Sequence, residues 1–304
     1  MKKHIILLTF LIISFRLSAQ KADAAKESNP ADSLLNSLTS DNKKEPVTIF
    51  KSTMLILSQT TETVKKNNLN LMIIHRFGDF AGSAGGGQTF YGLDNIADVY
   101  IGLEYGLTDN LNIDLGRSTI SRLVNMNLKY AIIHQTTDNS TPLAITVIGE
   151  TGMRPYDSYH AFSDRLSYFA EAIFARKFSS DFSLSVAPSF VRDNMPIPFV
   201  AGNTQQFFSI SAAARFKVTK HMGFIIDYAH PFSSFRSTAN GFYDPLGFGI
   251  EIETGGHVFT LNFSNSRAIS EINYLSNTQS NYSKGQYRIG FTISRMFDFN
   301  HKKQ

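Results

Sequence analysis

Residues 98–118 read DVYIGLEYGLTDNLNIDLGRS. Val99, Ile101, Leu103, Tyr105 and Leu107 fall on one face of an extended chain, and Asp98, Tyr100, Gly102, Glu104 and Gly106 fall on the other. Successive side chains of a strand point to opposite sides, so this is a half-apolar strand. A break at 106–110 carries Gly, Thr, Asp and Asn. Alternation then resumes, with Leu111, Ile113 and Leu115 opposing Asn112, Asp114 and Gly116. Two strands joined by a tight turn make a hairpin. A helix would need apolar residues at spacings of three as well as four, and three residues on from Val99, Ile101 and Leu103 stand Gly102, Glu104 and Gly106.

The same period of two governs the rest of the chain. Val124, Met126, Leu128, Tyr130 and Ile132 oppose Asn125, Asn127, Lys129 and Ala131. Phe208, Ile210, Ala212, Ala214, Phe216 and Val218 oppose Ser209, Ser211, Ala213, Arg215 and Lys217. Further runs start at Leu246, at Phe259 and at Tyr287. Each is about 8–12 residues long, the length of a tilted strand that crosses a bilayer.

A soluble sandwich also alternates, and three features separate the two. One face carries Gly, Ser, Asn and charges of both signs, as a barrel interior does. The other face is rich in aromatic residues, as a lipid face with interfacial girdles is. The connections also differ by side. Those at 106–110, 179–181, 219–221 and 254–256 are short, and those at 78–93, 151–164, 193–204, 231–244 and 265–284 are long. That is the pattern of short periplasmic turns and long extracellular loops. Counting from 67–77 to 296–299 gives an all-β, antiparallel transmembrane β-barrel of about 12 strands, an even number that closes without edges. A further alternating stretch at 47–57 is a plug, a periplasmic strand or a lumen-lining segment; the alternative is a barrel of 14 strands.

The ends have other characters. Residues 1–19 have the form of a secretory signal peptide: Lys2 and Lys3, an apolar stretch from Ile5 to Phe15, then Ser18-Ala19. Residues 20–46 hold no aromatic residue and form a flexible periplasmic leader. The barrel domain is 47–299, and 300–304 is a C-terminal stub. Beyond the signal, 26 basic residues face 25 acidic ones. That near-neutral balance gives no electrostatic reason to bind nucleic acid. The absence of Cys excludes disulfides, thiolate metal sites and thiol nucleophiles.

Motifs for chemistry are weak. Residues 82–89, GSAGGGQT, have P-loop spacing but lack the Lys that reaches phosphate. The eight His are scattered with no metal-ligand spacing. No Gly-x-Ser-x-Gly elbow occurs. His257 and Ser264 lie on opposite faces of one strand, so they are not a hydrolase pair. No catalytic residue, metal site or cofactor is expected. The charges on the lumen side are the candidate site: Glu104, Asp114, Glu171, Asp227, Glu251 and Glu253 with Lys129, Lys177, Arg215, Lys217 and Arg288. Unpaired charge in a narrow interior is costly, so these groups should brace one another or line a conduit.

Several stretches resemble a family of outer-membrane β-barrels of unknown function from Gram-negative bacteria. They are Ile74-His75-Arg76-Phe77-Gly78, the run 92–118, Gly256-His257-Val258-Phe259, Asn265-Ser266-Arg267, Gly290-Phe291 and Ser294-Arg295-Met296-Phe297. The resemblance extends over about residues 34–299 and implies one barrel in the outer membrane, with no catalytic residue or ligand. Arg288, Gly290, Ile293, Phe297 and Phe299 also resemble the C-terminal signal read by the barrel-insertion machinery. The partners expected are therefore that machinery and outer-membrane lipid; a small-solute ligand is unspecified. The functions in view are a structural or narrow-pore barrel with a charge-lined, largely filled lumen, a barrel-embedded lipid hydrolase, and a soluble periplasmic β-sandwich binding protein. The membrane readings require the mature chain to fractionate with outer membranes and to resist carbonate extraction. Recovery as a soluble periplasmic protein would select the sandwich.

Overall fold

The computed structural model describes residues 44–156, 161–195 and 205–300. The signal at 1–19, nearly all of the leader at 20–46 and residues 301–304 of the stub lie outside the described residues.

Twelve strands form one closed antiparallel barrel in which each strand pairs with its sequence neighbours. They are β1 (Asn68–Asp79), β2 (Ile96–Gly106), β3 (Leu111–Ser118), β4 (Val124–Ile133), β5 (Ala144–Met153) and β6 (Leu166–Lys177), followed by β7 (Phe182–Asp193), β8 (Gln206–Lys217), β9 (Met222–Phe232), β10 (Leu246–Thr254), β11 (His257–Ser264) and β12 (Arg288–Asp298). The seam joins the first strand to the last, from Asn68 opposite Asp298 to Asp79 opposite Arg288, with an irregularity between Arg76 and Asp79. The 47–57 stretch adds no strand to the wall, so the 14-strand alternative is excluded. No helix among the described residues is long and apolar enough to cross a membrane; the strands do so.

The register follows the alternation. Ile101 is 52% exposed, Leu128 50% and Leu261 56%, while Asn112, Asn127, Lys129 and Asn262 are buried. Exposed apolar residues therefore girdle the outside of the wall, far beyond what a water-soluble surface tolerates. Aromatic residues mark the borders. Phe178, Phe182 and Phe216 stack in a row at one end, with ring centroids 5.7 and 4.8 Å apart.

Connections at that end, 107–110, 134–143, 178–181, 218–221 and 255–256, are mostly tight, and the chain enters β1 and leaves β12 there. At the other end the connections are 80–95, 119–123, 154–165, 194–205, 233–245 and 265–287. The 119–123 link is the short one of that set. Ser121 and Arg122 adopt left-handed backbone (φ 56° and 49°), which folds it into a compact reversal. The short-turn end is periplasmic and the long-loop end extracellular, as in barrels of this kind.

Arg placed at Ile101 or Leu128 should cost about 2–4 kcal/mol near the bilayer midplane. Arg at inward Asn127 should be governed by interior space and charge. Reversible denaturant unfolding in lipid vesicles measures both, and equal tolerance on the two faces would mean an inverted register.

Candidate functional site

The interior is occupied. Residues 47–66 enter from the periplasmic end, where Val47 N donates to Gln135 O at 2.8 Å, and turn back on themselves inside the wall. Leu55 N to Ser58 O (3.0 Å) and Thr60 N to Thr53 O (2.9 Å) close the turn. Leu55, Ile56 and Leu57 at its tip are each 1% exposed. A turn buried this deeply needs acceptors for its amides. Asp227 supplies them: its Oδ2 accepts from Ile56 N at 2.7 Å and Leu57 N at 2.9 Å. The wall also yields space. A Cβ on Gly247 would stand 2.8 Å from Ile56 Cγ2, so a smaller residue than Ala is required there.

A second insert descends from the extracellular end. The 265–287 loop carries a short helix, α1 (Glu271–Ser276), whose residues are all buried. Arg76, fully buried on β1, donates through Nη1 to Ala268 O at 2.6 Å and through Nη2 to Ile56 O at 3.4 Å. It thus holds both inserts. Asp98 on β2 accepts from Ile269 N at 3.1 Å and from Ser118 Oγ at 2.8 Å. The inserts meet where Gln59 Nε2 donates to Glu271 Oε1 at 3.0 Å. Burial pushes the Glu271 carboxyl above its ordinary range, and the Gln59 bond opposes that shift.

The inner wall has two characters. Phe169, Val191, Phe207 and Ile225 on β6–β9 point inward and pack with Leu55, Ile56, Leu57, Ile272 and Leu275 of the inserts in one apolar cluster. The inner face is therefore not polar throughout. The facing wall carries Asn70, Glu104, Asn112, Asp114, Asn125, Asn127 and Lys129, all buried.

The eleven charges nominated from sequence occupy different levels, and only one pair among them bonds directly: Arg215 Nε to Glu251 Oε1, 2.7 Å. Most of the others serve the inserts. Glu104 Oε2 accepts from Thr53 Oγ1 and Asn70 Nδ2, both at 2.7 Å. Lys129 Nζ donates to Thr53 O at 3.0 Å and Gln59 Oε1 at 3.4 Å. Lys177 Nζ reaches Thr48 O at 3.3 Å, and Glu253 pairs with Lys51 at 2.9 Å. Asp227 caps the hairpin tip. Asp114, opposite Glu104, and Glu171 are buried in the wall. Lys217 sits at the periplasmic rim with Asp181 at 3.3 Å, its side chain 38% exposed. Arg288 lies at the extracellular end, bonded to Asp79 at 2.5 Å and to Asn265 O and Ser280 Oγ at 2.8 Å each. Mutual bracing of strand charges is thus the exception. The inserted chain brings its own amides and hydroxyls, and these satisfy the wall instead.

Sequence reasoning omitted Arg76, Asp98, Glu150 and the buried pair Arg154–Asp193 (2.8 Å). The same parity that selected Glu104 would have found the strand residues among them. Glu271 sits in a loop, where no alternation points to it.

Space inside is divided. A cavity of about 320 Å³ opens at the periplasmic end beside Lys51, Glu62 and Glu253, and one of about 270 Å³ at the extracellular end beside Arg154, Arg267 and Asn277. Between them, next to Gln59, Glu104 and Glu271, is a pocket of about 10 Å³, room for a single water. Among the described residues no three His, Cys, Asp or Glu are grouped to hold a metal ion. His134 bonds to Asn110 and His230 to Asp244, and His257 stacks on Phe259 outside the wall.

Fold and interior define a membrane-spanning β-barrel with polypeptide inserted from both ends. The family model described as "Membrane bound beta barrel domain (DUF5777)" matches residues 50–297, and the chain belongs to that family. It is an outer-membrane protein. Similar solved structures include the NanC porin (10% identity, TM-score 0.46, covering 75% of this chain and 98% of that one). Others are an outer-membrane channel from Pseudomonas putida F1 (9%, 0.46, 80% and 100%) and the KdgM porin (5%, 0.43, 77% and 99%). A search of curated proteins found no match.

Replacing Arg215 with Ala leaves Glu251 buried without its cation, which should cost about 3–5 kcal/mol. The double change Arg215→Ala with Glu251→Gln should recover part of that loss. Thermal unfolding in detergent measures both, and a fully stable single variant would show the pair to be dispensable.

Proposed function

We propose that this protein is a narrow outer-membrane channel that rests closed, with residues 47–66 as its periplasmic plug and α1 as its extracellular one. One observation carries the reading: two cavities of about 320 and 270 Å³ face the two sides of the membrane, with about 10 Å³ of space where the plugs meet. A barrel of eight strands is filled by its own side chains and one of sixteen is open. Twelve strands enclose more room than side chains fill, and here main chain occupies it. The polar wall from Asn70 to Lys129 is the surface a solute would meet once the hairpin withdraws, and its charges would then set selectivity.

Planar-bilayer recording tests this. The wild-type protein should give rare, small steps. A variant with 50–62 replaced by a Gly-Ser linker should give frequent, discrete ones. Silence from both proteins would favour a purely structural barrel, and free conduction by the wild type would overturn the closed state.

A further inference from the structure

Arginines gather on the outside of one wall, at its extracellular edge, and no lumen contact uses them. Arg117 is the next-to-last residue of β3 and Arg192 the next-to-last of β7. Both strands rise toward the extracellular end, and both side chains are exposed on the lipid face. Arg122, exposed in the 119–123 link, stands in the interval. Arg117 and Arg122 lie over the same ring, that of Tyr156, at 5.7 and 5.1 Å from its centroid, and Tyr156 is 66% exposed.

None of these three has a carboxylate partner among the described residues. Arg192 Nε donates to Asn194 Oδ1 at 3.1 Å. Asp193, next in sequence, turns inward to Arg154, and Asp164 accepts from Ser163. The edge two strands further on differs: β9 presents His230 and Tyr228 bonded to Asp244.

The height of these guanidiniums fixes what they meet. Below Arg117 on the same face come Leu115 and Ile113, which are exposed and apolar. The side chains therefore leave the wall where the hydrocarbon layer ends and headgroups begin. Guanidinium binds phosphate in a two-pronged geometry that no neutral headgroup offers. From β3 to β7 is four strand spacings, roughly 19 Å, wide enough for more than one phosphate. We infer that the β3–β7 wall holds phosphorylated lipid headgroups of the outer leaflet against the barrel through Arg117, Arg122 and Arg192.

Full-length protein in phosphatidylcholine nanodiscs doped with either bisphosphorylated or dephosphorylated lipid A tests this, with native mass spectrometry counting retained lipid. The wild type should keep several-fold more of the phosphorylated form. R117Q/R122Q/R192Q should fall to the dephosphorylated level. R295Q, an exposed arginine over Phe297 at the periplasmic end, should behave as wild type. Equal retention of both lipids, an unaffected triple variant, or an equal loss in R295Q would overturn the inference. If the triple variant does not fold, R192Q with graded salt replaces it: retention of phosphorylated lipid must fall with ionic strength, and indifference to both changes refutes the site.

Discussion

Hydrocarbon offers no partner to a backbone amide, so a sheet inside a bilayer has to close on itself. The β1–β12 seam meets that demand, and everything else depends on it. Closure sets the strand number even and places both ends of the wall at the periplasmic side. It also fixes the volume enclosed. A ring of twelve strands leaves an interior that side chains alone do not fill, and that surplus is what the hairpin and α1 occupy.

Filling a barrel with main chain raises a second demand, because a buried loop carries amides and carbonyls that water no longer satisfies. The wall answers with fixed acceptors and donors at the places where the inserts bend. Asp227 takes the two amides at the hairpin tip, Asp98 takes Ile269 N, and Arg76 donates to carbonyls of both inserts. Charged residues in this lumen are therefore specific to the backbone they receive. Apolar contact adds to them on two sides: Phe169, Phe207 and Ile225 interrupt the polar parity of β6–β9, and Met72 and Ile74 of β1 pack against Met54 and Ile269 of the inserts.

The wall was legible because lipid acts on every strand in the same way. Ile101, Leu128 and Leu261 must be apolar whatever lies inside, and alternation follows. The plug was not legible on that basis. Residues 52–60 are buried without exception, so their burial has no face and no period; the alternation in sequence at 47–57 resembled a strand and left its place undecided. The charge list suffered in the same way. Parity identified Glu104 and Lys129 as inward, yet it carries no information on Thr53 and Gln59, the groups they bond. Glu271 belongs to a loop, and loops answer only to what they pack against.

The course of the hairpin has a topological consequence. Val47 bonds to the periplasmic turn at Gln135, and on the return leg Lys66 N bonds to Asp109 in the neighbouring periplasmic turn. Both legs leave through the same mouth. The segment can therefore slip out as a loop, with no chain end drawn through the ring and no strand-to-strand hydrogen bond broken; the bonds given up are those that Asp227, Glu104, Lys129 and Arg76 make to the hairpin. A strand lost from the wall would open two edges to lipid; a hairpin lost from the interior opens none. Removal of this element leaves the closed sheet intact, so plug and wall are separable parts of one chain.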